Sequence, residues 1–156
     1  MASDFTVVFS VRQRFGNNVI DVINGFSEGE YEAGAPFAGV EKDYPFTCEN
    51  IRANESGILV FQAMGVSWTH EIRINDKIIY GGLTRGPVAV GGGSVIIADK
   101  VTTASFPIQV WQTYSLIIGA TVLKRNNILK IRSVPRNDGG IDDFVIDNCY
   151  VQFKIN

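Results

Sequence analysis

The sequence predicts an all-β protein, a sandwich of short strands forming one domain over residues 1–156. Three observations carry this. Strand-like runs recur about every ten residues with turn residues between them. Helical periodicity is nearly absent, whereas strict apolar–polar alternation is frequent. The end of the chain holds three strand-like runs, 110–118, 128–134 and 141–155. The last two are separated by Pro135-Arg136-Asn137-Asp138-Gly139-Gly140, in which each residue type favours a turn.

Taken in order, residues 5–13 alternate Phe5, Val7, Phe9 and Val11 with Thr6, Val8, Ser10 and Arg12, which predicts a strand burying the first set. A Gly16-Asn17-Asn18 turn leads to a shorter strand over 19–23. Residues 24–50 have no period, only Gly, Pro, acids and the scattered aromatics Phe26, Tyr31, Phe37, Tyr44 and Phe46. They form either a long functional loop or a set of short strands. Residues 58–64 are apolar on both faces apart from Gln62, which predicts a central strand covered on both sides.

The stretch 69–75 alternates again, with Ile72 and Ile74 inward and Glu71 and Arg73 outward. Asn75-Asp76 turns it into 77–80, making a hairpin. The Gly-rich 81–93 around Arg85 reads as a loop, and 94–98 as a buried strand through Val95, Ile96 and Ile97. The closing strand carries Asp142, Asp143 and Asp147 among Ile141, Phe144, Val145 and Ile146. Acids disfavour strands and are costly when buried unpaired, so these need an edge, a loop mouth or a partner.

Bulk composition narrows the function classes. With 46% hydrophobic and 19% charged residues the chain is globular, and a net charge of −2 gives no electrostatic footprint for nucleic acid or anionic membrane. No apolar run approaches the roughly 18 residues of a membrane helix. The opening residues lack the basic region of a secretory signal. Cys48 and Cys149 lie far apart with no CxxC, and the chain has a single histidine, which argues against a Cys/His zinc site. They read as buried thiols; a disulfide would require the fold to bring them together. Asn54-Glu55-Ser56 matches a glycosylation acceptor, relevant only in a secretory context.

Three pieces carry a family likeness. Tyr114-Ser115-Leu116-Ile117-Ile118, then Val122-Leu123-Lys124-Arg125-Asn126-Asn127, then Ile128-Leu129-Lys130-Ile131 make a strand, a short turn and a strand. Gly140-Ile141-Asp142-Asp143-Phe144-Val145-Ile146-Asp147-Asn148 forms the closing motif, and Arg73-Ile74-Asn75-Asp76-Lys77 a short hairpin. Together these resemble the galactose-binding-domain-like jelly rolls common among carbohydrate-binding modules, although the customary turn glycine is absent from the first piece. The resemblance implies a jelly-roll β-sandwich and carries function only by analogy. In that family a structural calcium often joins an early loop to the final strand.

The expected function is a non-catalytic, lectin-like carbohydrate-binding module, not an enzyme. Sugars present C–H faces that stack on aromatic rings and hydroxyl pairs that suit Asp, Asn and Arg. Trp68, His70, Arg85, Arg136, Asn137 and Asp138 are such groups in loop-like places. Each also has a plainer reading, as rim packing or ordinary turn chemistry. Asp138, Asp142 and Asp143 offer oxygen ligands for calcium, without the tight spacing of an EF-hand. No nucleophile elbow occurs, and a triad would need the one histidine, His70. A structural or self-assembling protein is the second reading and a glycan-active enzyme the third. Homo-oligomerisation stays open, and neither nucleic acid nor membrane is an expected partner.

Overall fold

The computed structural model describes residues 2–17, 22–23, 26–27, 36–66, 68–79, 82–83, 94–97, 100–103 and 111–156. Among them the chain is all-β without a helix. The strands are β1 (Ser3–Phe9), β2 (Gln13–Phe15), β3 (Val22–Ile23), β4 (Phe26–Ser27), β5 (Phe37–Gly39), β6 (Glu41–Thr47) and β7 (Gly57–Met64). They continue as β8 (Glu71–Ile74), β9 (Lys77–Ile78), β10 (Ser94–Ile97), β11 (Lys100–Thr103), β12 (Gln112–Ile118), β13 (Asn126–Arg132) and β14 (Phe144–Lys154). A six-stranded sheet runs β12-β7-β14-β2-β5, with β1 also paired to β14. A four-stranded sheet runs β6-β13-β8-β9, and β10–β11 and β3–β4 form separate ribbons.

The two main sheets bury one face each in a single apolar cluster, as in a sandwich. Phe15, Leu59, Phe61, Ala63, Ile146, Cys149, Val151 and Phe153 come from the larger sheet; Tyr44, Phe46, Ile72, Ile74, Leu129 and Ile131 come from the smaller. The predicted hairpin is present, with Ile72 and Ile74 inward. The aperiodic 24–50 segment resolves in its second half into β5 and β6, where Tyr44 and Phe46 alternate inward.

Two strands differ from expectation. The face of β1 read as buried is the outer one: Phe5 is 64% and Val7 54% exposed, and Val11 beyond the strand is 59% exposed. Val8 and Phe9 pack on the core instead, because the pairing with β14 shifts register between Val7 and Phe9. β7 is central, between β12 and β14, but covered on one side only at its start. Leu59, Phe61 and Ala63 point inward, while Ile58 faces out. The 94–98 reading corresponds to β10, paired to β11; its burial lies outside the described side chains.

Two turns of the smaller sheet interlock through amides. Asn75 donates from Nδ2 to Asn127 Oδ1 at 2.8 Å and to the Val122 carbonyl, while its Oδ1 accepts the Ile128 N–H. Asn127 in turn donates to the Lys124 carbonyl and accepts the Lys124 N–H. Asn75 and Asp76 sit at φ 50° and 64°, a left-handed turn that Asn and Asp tolerate better than most residues.

Both cysteines are free and fully buried. Burial pushes the Cys48 thiol up to about 11 and raises Cys149 as well. Reaction needs the thiolate, so the native protein should resist a thiol reagent at neutral pH and expose both groups only after denaturation. Counting labelled sulfurs before and after unfolding checks this; rapid native labelling would mean the core opens readily. Phe61, buried and stacked on Tyr114 at 5.1 Å, anchors the larger sheet. Phe61→Ala should cost about 3–5 kcal/mol in denaturant unfolding, and a loss below about 1 kcal/mol would place Phe61 outside the core.

Candidate functional site

The residues expected at the loop end take separate tasks. His70 is buried at 3% exposure, its ring stacked on Phe144 at a centroid distance of 4.4 Å. Nδ1 accepts the Val134 N–H at 3.1 Å, which leaves the proton on Nε2. Nε2 then donates to Asp142 Oδ2 at 2.9 Å. Both ring nitrogens are used to fasten the segment between β13 and β14 onto β8. Trp68 lies half-buried just before His70. Arg136, Asn137 and Asp138 form a closed turn: the Arg136 N–H bonds the Gly140 carbonyl, the Gly139 N–H bonds the Arg136 carbonyl, and Asp138 Oδ1 accepts the Gly140 N–H. Arg85 lies outside the described residues.

The three carboxylates read as calcium ligands point to different partners. Asp138 serves its own turn and Asp142 holds His70. Asp143 Oδ1 accepts the Asn17 N–H at 3.1 Å and lies directly against Gly16. A side chain at Gly16 would collide with that carboxylate, and its φ of 132° is one that other residues rarely adopt. Among the described residues no group of three or more His, Cys, Asp or Glu is placed to hold a metal ion.

A different aromatic and polar constellation assembles on the outer face of the larger sheet. The β7–β14 ladder shifts register between Asp147 and Tyr150, and Asn148 there takes φ 49°. Such a bulge re-aims side chains locally. Asp147 Oδ2 accepts Arg12 Nε at 3.0 Å, and its Oδ1 accepts the Asn148 N–H. The Arg12 guanidinium sits 4.9 Å from the centre of the Trp111 ring, within cation–π range. Asn148 Nδ2 donates to Gln62 Oε1 at 3.1 Å. Residues from four separate segments thus place a ring, a guanidinium, a carboxylate and two amides on one surface.

Along the same face, toward the end of β14, lies a depression of about 420 Å³ lined by Ser3, Asp4, Phe5, Val7, Tyr150 and Gln152. Phe5 and Tyr150 meet edge to face there at 6.3 Å. The local sign of the bulge is Asp147-Asn148 interrupting an apolar strand. Nothing local marks Trp111 or Arg12, since both are supplied by register.

The His70–Asp142 pair gives a direct test. Asp142→Ala leaves a buried N–H without its acceptor and should cost about 1–3 kcal/mol in urea unfolding. Asp142→Asn keeps an acceptor oxygen and should cost less. Equal losses in the two variants would show that packing, not this hydrogen bond, carries the stabilisation.

Comparison with known proteins gives no match to any family model, curated protein or solved structure.

Proposed function

We propose that this chain is a non-catalytic carbohydrate-binding protein of jelly-roll, galactose-binding-like type, and that it recognises sugar on the outer face of its larger sheet around the β14 bulge. The observation that carries the reading is the convergence of Trp111, Arg12, Asp147, Asn148 and Gln62 on one surface. Ring faces take sugar C–H groups, while carboxylate, guanidinium and amide take paired hydroxyls. Hydrogen bonds between Arg12 and Asp147 and between Asn148 and Gln62, with the guanidinium packed on the Trp111 ring, hold these groups in place before a ligand arrives, which lowers the ordering cost of binding. The jelly-roll assignment is supported by two facing sheets and by the pairing of the first strand with the last. A histidine-based triad is disfavoured, because His70, the only histidine of the chain, is committed at both nitrogens.

The experiment is a glycan array on the folded protein with calcium and with chelator. Asp147→Ala and Trp111→Ala should each weaken glycan binding at least about tenfold, the loss of one charge-assisted contact or one stacked ring. A blank array, or undiminished binding in both variants, would remove the reading. Calcium-dependent binding would require the present contacts of Asp138, Asp142 or Asp143 to open around a metal.

A further inference from the structure

We propose that the apolar part of the same sheet face seats a second copy of this chain, forming a weak two-fold dimer. Two rows of side chains cross β12, β7, β14 and β1 in register. One is Ile117, Ile58, Gln152 and Phe5; the other is Ser115, Val60, Tyr150 and Val7. Ile117 is 73%, Phe5 64%, Val7 54% and Ile58 38% exposed. Neither row contains a charge. Among the described residues the charged groups stand toward the ends, Asp4 and Lys154 at one, the latter bonded to the Ser3 hydroxyl, and the Arg12–Asp147 pair at the other. An apolar, aromatic-bearing centre with a polar rim is the anatomy of a protein interface. The aliphatic part of these rows, Ile117, Ile58, Val60 and Val7, offers a sugar neither ring faces nor hydrogen bonds and suits a protein partner better than the glycan proposed for the bulge.

Size and charge favour a second copy as the occupant. Four strands about 4.8 Å apart and seven residues about 3.3 Å each make a face of roughly 450 Å² in projection. Counted on both partners and with side-chain relief, its burial approaches the ~1,200 Å² lower bound of specific interfaces, which suits a weak, concentration-dependent dimer. A two-fold interface must be self-complementary. With the axis crossing the strands in the plane of contact, the ends of the face exchange. Apolar rows then cover apolar rows, and Lys154 of each copy comes alongside Asp147 of the other. Aligned sheet-on-sheet packing of this kind is ordinary in β proteins.

The test is sedimentation velocity of the full chain from about 1 µM to about 1 mM, the range in which weak interfaces associate. It is run without glycan, because Asp147 belongs to both readings. The wild type should pass from monomer to dimer across that range. Ile117→Lys and Phe5→Ser, at the two most exposed positions of the face, should remain monomeric at concentrations where the wild type is mainly dimer. Their melting temperatures should stay within a degree or two of wild type, since surface changes away from packed groups cost little. A wild type monomeric throughout, or a dimer that survives both substitutions, overturns the proposal. Because the readout is mass and not glycan binding, its outcome is separate from that of the array.

Discussion

Everything in the larger sheet depends on one long strand being hydrogen-bonded along both flanks. β14 pairs with β7 on one side and with β2 and then β1 on the other. A strand fixed on both sides cannot slide by one residue without turning its buried set to water. Cys149, Val151 and Phe153 must therefore face the core, and Tyr150 and Gln152 must face out. The same constraint decides β1. Its sequence is apolar on alternate positions, with Val8 set among the others, so either phase is chemically acceptable. Pairing of Val7 with Tyr150 and Phe5 with Gln152 selects the phase that leaves Phe5 and Val7 outside.

The bulge in β14 lets that strand carry polar groups without loss of the core. Ile146 and Cys149 are both fully buried, with Asp147 and Asn148 between them. An unbroken pleat would point residues three apart to opposite faces, so the extra residue restores the inward direction. The acids that seemed misplaced in a strand thus each have a physical solution. Asp142 and Asp143 precede the strand and are bonded to His70 and Asn17, and Asp147 sits in the bulge beside Arg12.

Local pattern made the sandwich class, the 71–78 hairpin and the last three strands legible, because period-two alternation and turn chemistry act over a few residues. The motif asparagines Asn75 and Asn127 were visible as turn residues, but not their mutual bond across 52 positions of sequence. That bond gives both motifs a structural reason: Asn75 satisfies the other turn's backbone at Val122 and Ile128, and Asn127 satisfies its own at Lys124 while holding Asn75 in place. Partners distant in sequence were illegible for the same reason elsewhere. His70 reads locally as a rim histidine, and only the fold supplies Asp142, 72 residues away. Trp111 and Arg12 carry no local sign of their meeting, so the surface around the bulge could not be assembled from spacing.

The antiparallel pairing of β1 with β14 has a mechanical side. Ser3 lies opposite Lys154, and Ile155 N–H bonds the Ala2 carbonyl at 3.2 Å, so the two ends of the fold emerge together. Tension applied at these ends does not shear the ladder, which would load all its hydrogen bonds at once. It opens the ladder from Ser3–Lys154 inward toward Phe9–Cys149, one pair after another. Strung end to end in a larger assembly, this fold would yield at low force. Inserted into another chain at a single surface loop, it would hang from two adjacent strands and carry almost no load.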